Sequence, residues 1–286
     1  MSFWDAYDFW RDAVAGTLIA AAMLGYLGVH VLLRRVVFVG AALTQVSGVG
    51  IAASFWLASF LALPDAHQPD HPLWLSPQLF ALAFALGAAL LFSLVREGRR
   101  LSVEAVVGLG WVLASAALLL VLSSGRIVQE AHEVDDLLYG NAVLISPAQV
   151  RLLAGVASAV LAVHLLFFRQ FMFVSYDAEM ARTLGHRTRL VDLALFATLG
   201  VGISFAVRVL GALPAFGFLV VPAASALLLV RRAHHAFPLA ALFGAAGGAL
   251  GYYLAFTQSY PTGAAMVAAS SLFLLPGALL RLVRRS

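Results

Sequence analysis

The side chains able to do chemistry in this sequence are few and clustered. His67 and His71 lie four positions apart beside Asp65 and Asp70. That spacing would set two imidazoles on one helix face, where they could share a metal ion. Pro69 and Pro72 oppose a regular helix there. The segment therefore reads as a solvated loop or as a weak ion-capturing loop. Glu130, His132, Glu133, Asp135 and Asp136 form a second run. It suits an exposed amphipathic segment, a cation-attracting surface, or a dock for a partner's basic patch. His30 and His164 each stand alone in apolar surroundings. Each is either a hydrogen-bonded packing residue or a metal ligand. Arg208 either snorkels to a membrane surface or lines a conduit.

Covalent chemistry finds no footing. Cysteine and lysine are absent. The zincin pattern H-E-x-x-H fails, because His132-Glu133 is followed by Val-Asp-Asp. Ser204 and Ser225 have no evident base nearby in sequence. No Gly-rich nucleotide loop occurs, so we expect a chain that is not an enzyme and binds no cofactor of its own.

The elements that must position these residues are membrane spans. The chain has 286 residues, of which 62% are hydrophobic and 11% charged, with a mean hydropathy of +0.95. A soluble domain carries about 25% charged residues, so soluble and disordered classes are excluded. Apolar segments run at 13–33, 37–63, 77–95, 104–122, 147–168, 190–207, 214–230, 236–256 and 263–280. We expect an all-α bundle of eight or nine transmembrane helices, forming one domain over 1–286. Gly211, Pro214 and Gly217 interrupt the 190–230 region, which reads as two short spans or a broken, re-entrant pair. Glycines 244, 247, 248 and 251 give two G-x-x-x-G spacings suited to close helix packing.

Arginine sets the expected orientation. Arg34 and Arg35, Arg96 to Arg100, Arg169 to Arg189, Arg231 and Arg232, and Arg281 to Arg285 all follow odd-numbered segments. The positive-inside rule makes those loops cytoplasmic, with the N-terminus outside and the C-terminus inside. Asp5, Asp8 and Asp12 outnumber Arg11 at the start, unlike a signal peptide. Arginines confined to segment ends are no nucleic-acid footprint. Glu104 and Asp192 are the carboxylates nearest the spans and lie at their ends, which disfavours a proton-driven carrier. In the 169–189 stretch, Ser175 or Asp177 can cap a short surface helix that Gly185 stops.

Five segments in order carry a family resemblance: Leu32 to Gln45, Leu137 to Pro147, Ser175 to Gly185, Leu219 to Ala226, and Ser259 to Ala264. Together they resemble the membrane permeases of zinc/manganese/iron-type ABC transporters, over roughly 13–280. The resemblance implies a permease of the bacterial cytoplasmic membrane that pairs with a second copy of itself within membrane lipid. It implies a cytoplasmic ATPase dimer, holding ATP and magnesium, and an extracytoplasmic metal-binding protein. It makes 174–187 the ATPase-coupling segment, with Asp177, Glu179, Arg182, Leu184 and Gly185 at the contact. Relatives carry an Asp and a His four residues apart in the second span; here those positions are Ala41 and Gln45. Alanine cannot ligate, and Gln45, with Thr44 and Ser47, offers only neutral donors to a conduit. The cargo implied is a divalent metal, zinc or manganese before iron. A non-metal cargo, a secondary carrier and a non-transporting subunit remain alternatives.

Overall fold

The computed structural model describes residues 7–62, 72–95, 102–124, 145–185 and 187–285. His67, Asp70 and His71, and the acidic run at 130–136, lie outside the described residues. The helices are α1 (Tyr7–Leu33), α2 (Val37–Phe60), α3 (Pro77–Leu94), α4 (Val103–Leu122), α5 (Pro147–Leu166), α6 (Phe168–Tyr176), α7 (Ala178–Thr183), α8 (Thr188–Leu210), α9 (Ala212–Leu229), α10 (Ala236–Gln258), α11 (Thr262–Ser271) and α12 (Leu274–Arg285). No strand occurs among the described residues, and nine segments there are long and apolar enough to cross a membrane. Helices are the expected solution, because each satisfies its backbone polar groups internally.

Serines start three of the spans. Ser76, Ser102 and Ser146 each accept a hydrogen bond from the backbone N–H three residues on. Ser146 adds a reciprocal bond, its own N–H donating to Gln149 Oε1, which completes a capping box.

Helix α1 lies against α5, α8, α9 and α10, while α2 lies against α3, α4, α8 and α9. Small residues let these backbones touch. A methyl group at Gly25 would strike the Ala240 carbonyl, and one at Gly244 the Ala21 carbonyl, so α1 and α10 meet at glycine on both sides. The other G-x-x-x-G pair turns away from α1: Gly247 and Gly251 face Ser270 and Met266 of α11. Leu91, Leu113, Leu120 and Leu166 on α3, α4 and α5 point out of the bundle, as suits a face bathed in lipid chains.

The 190–230 region forms two full helices, α8 and α9, so the re-entrant alternative is set aside. Gly211 turns the chain between them at φ +89°, a conformation that favours glycine. Pro214 falls in the first turn of α9, where no helical bond is lost. The last span departs from the single 263–280 helix expected, breaking at Leu272-Phe273 into α11 and α12. Pro276 gives the reason: its ring would clash with the Leu272 carbonyl, and it has no N–H to donate there.

Candidate functional site

Helices α6 and α7 form a two-helix foot leading from α5 to α8. They join at Asp177, whose Oδ1 accepts from the Met180 N–H at 2.8 Å. Of the two expected caps, Asp177 is the one used. Helix α7 then runs six residues, and the chain turns out of it at Gly185, φ +81°. Asp177, Glu179, Arg182, Leu184 and Gly185 are all exposed, while Ala181 is buried. Sequence reasoning missed that Tyr176 and Met180 are also exposed, extending Leu184 into an apolar stripe. The four-residue spacing of Met180 and Leu184, joined by the Leu184 N–H to the Met180 carbonyl, was the available signal.

Ser175 has a different task. It lies inside α6, buried, and accepts from Arg34 Nε at 3.0 Å. Arg34 Nη1 donates to Asp192 Oδ1 at 2.5 Å. One guanidinium thus ties the end of α1 to the foot and to the start of α8. Its side chain is 10% exposed, and that of Asp192 28%. Burial pulls the Arg34 guanidinium below the ordinary arginine range, and the Asp192 carboxylate opposes that shift. This clasp joins residues 141 and 158 positions from Arg34, beyond the reach of local pattern reading.

On α2, Gly40 meets Leu219 and Phe216 of α9. Thr44 and Ser47 follow on nearly the same stripe, because positions four and seven apart lie close on a helix. Both are buried; Thr44 Oγ1 donates to the Ala41 carbonyl at 2.9 Å, and the Ser47 hydroxyl has no partner among the described residues. Gln45 is half-buried and about 100° further around the helix from Thr44. The expected conduit trio therefore divides into a buried hydroxyl pair and a separate amide, with Ala41 buried beside them.

His30 and His164 come together, which neither the sequence spacing nor the surrounding residues announced. Both are fully buried, with ring centroids 5.0 Å apart. Tyr26, Phe171 and Phe237 close around them. Arg208 sits half-buried in the last turn of α8, at the end opposite Asp192. Among the described residues, no three His, Asp or Glu side chains converge into a metal-binding group.

Nine apolar segments among the described residues, packed around a small-residue core with an exposed foot at one end, define a multi-pass membrane protein. The profile of the ABC 3 transport family matches residues 6–281, and the chain belongs to that family. The manganese transport system membrane protein MntC of Listeria monocytogenes is 22% identical over 261 residues, covering 91% of this chain and 86% of its own length. The manganese import system permease protein ScaB of Streptococcus pneumoniae is 22% identical over 269 residues, covering 94% and 89%. The solved structure of PsaBC from Streptococcus pneumoniae in complex with Fab matches with a TM-score of 0.79 at 20% identity, covering 96% of this chain and 94% of that one. The fold is therefore shared with that structure.

Proposed function

We propose that this chain is the membrane permease subunit of an ATP-driven importer for a divalent transition metal, with manganese and zinc ahead of iron. The observation that carries the reading is the exposed α6–α7 foot, pinned to α1 and α8 by Arg34, in a chain of the ABC 3 transport family. The names of the manganese-transporting relatives support the cargo class.

In this reading the arginine-rich end is cytoplasmic, and a partner ATPase dimer receives the Tyr176, Met180 and Leu184 stripe. Asp177, Glu179 and Arg182 fix the register by charge. Movement of the foot passes through Arg34 into α1 and α8, and so alternates access across a pair of such chains. An extracytoplasmic binding protein delivers the ion. Thr44, Gln45 and Ser47 offer neutral oxygens, so the ion passes partly hydrated and leaves readily; a conduit needs sites weak enough to release. The missing ligand pair at Ala41 and Gln45 favours one second reading, a permease for a non-metal cargo.

Co-purification with the cognate ATPase tests the foot. Met180→Asp and Leu184→Asp place charge on the apolar stripe and are expected to abolish the complex while leaving the bundle folded. Retention of a full, ATP-hydrolysing complex by the double variant would overturn the docking assignment.

A further inference from the structure

We propose that Tyr26, His30 and His164 form a nitrogen-rich site for a borderline divalent transition-metal ion, such as zinc or cobalt, separate from the α2 stripe. The site stands on side-chain geometry and does not rest on the transport reading.

The hydrogen bonds fix the chemistry of His164. Thr198 Oγ1 donates to the Leu195 carbonyl at 2.9 Å. Its proton being spent there, Thr198 Oγ1 accepts from His164 Nε2–H, also at 2.9 Å. In a neutral imidazole the lone pair then falls on Nδ1. That nitrogen is buried and has no partner among the described residues. An imidazole oriented through one nitrogen and bare at the other is the usual arrangement of a metal-ligating histidine.

His30 supplies the second ring. It is fully buried, and among the described residues neither of its nitrogens has a partner. One of the two carries a lone pair in the neutral ring. The Tyr26 hydroxyl is likewise buried without a partner. Four unpartnered polar atoms thus occur on three neighbouring rings, where buried polar groups are otherwise nearly always satisfied.

The spacing suits one shared ion. Two imidazoles on a tetrahedral ion at ~2.1 Å have ring centroids roughly 5 Å apart, and the observed separation is 5.0 Å. Tyr26 stands 5.7 Å from His164 and 6.2 Å from His30 by ring centroids, which makes its phenol the neighbouring oxygen donor of the pair. Phe171 and Phe237 close the surroundings with apolar rings.

The donor set also selects. Two imidazole nitrogens suit zinc, cobalt, nickel or copper, whereas manganese prefers carboxylates and waters. Among the described residues no carboxylate belongs to the cluster: Asp192 is engaged with Arg34, which follows the end of α1 four residues after His30. The site is accordingly modest in affinity and discriminates against manganese. An ion there would join α1 to α5, next to Phe171 of the foot.

The test is titration of the purified full-length chain with cobalt alone, followed by visible absorption, then displacement by zinc or manganese. The expected result is one saturable equivalent per chain with the bands of a nitrogen-ligated, four-coordinate ion, displaced by zinc and not by manganese. His30→Gln and His164→Gln should each weaken binding at least tenfold, and Thr198→Val about tenfold. Exchange of the exposed His234 and His235 for Gln should change nothing. If the histidine variants do not fold, Thr198→Val and Tyr26→Phe, which preserve packing, decide in their place. Absence of saturable cobalt absorption in the wild-type chain, or undiminished binding in the folded variants, would overturn the site and leave buried water as its occupant.

Discussion

Arg34 is the residue on which three elements depend. Its guanidinium holds Ser175 of the foot and Asp192 of α8 from the end of α1. Removing the carboxylate leaves a largely buried cation with less compensation, so Asp192→Asn should cost about 1–3 kcal/mol. Because Asp192 is partly exposed, the lower part of that range is expected. If the clasp transmits movement, Asp192→Asn should also lower transport per ATP hydrolysed in the assembled complex. Unchanged coupling with a lowered melting temperature would make the clasp a fold stabiliser only. On α2, Ala41→Asp combined with Gln45→His installs an acidic and an imidazole ligand four residues apart. Manganese binding by the purified chain, followed calorimetrically, should tighten at least tenfold, because the wild-type stripe has only neutral donors. Residue-scale legibility was uneven. Asp177 and Gly185 could be read directly, since a cap and a stop are local devices. The clasp and the His30–His164 pair could not, because their members are far apart in sequence and meet only through packing.

Elements were legible wherever hydropathy alone decides. Spans α1 to α5 fall within a few residues of their apolar segments, because a helix that satisfies its own backbone in lipid needs little beyond length and apolarity. Glycine and proline were the ambiguous signals. Gly211 and Pro214 allowed two spans or a re-entrant pair, and the two spans form: one residue makes the turn between helices and the other sits where a proline costs nothing. Pro276 was passed over, yet it divides α11 from α12. Two predictions belong here. Asp177→Ala removes the cap of a six-residue helix, at about 1 kcal/mol. Amides within 178–183 should exchange roughly fivefold faster by hydrogen exchange, with α1 unchanged; equal protection in both chains would contradict the cap's role. Gly28→Ala drives a methyl group into the Leu219 carbonyl of α9. Backbone cannot yield as a side chain does, so a loss of about 1–3 kcal/mol is expected, seen as a lower melting temperature.

The whole molecule is a bundle whose centre and foot are built differently. Helices α1, α9 and α10 meet at glycines with no room to slide apart cheaply. The foot is short, exposed on one side, and held by Arg34 and by Phe171 packed against His30 and His164. That division suits a device in which force enters at the foot and rearranges helices around a fixed packing core. The central claim is that this device moves a divalent metal at the expense of ATP held by a partner. The direct measurement is manganese and zinc uptake into proteoliposomes holding this chain with its cognate ATPase, with the binding protein supplied outside. Uptake that requires ATP, and that Met180→Asp with Leu184→Asp abolishes, is the predicted result. A folded complex that hydrolyses ATP yet accumulates neither metal would contradict it, and would turn the alanine and glutamine of α2 into the mark of a different cargo.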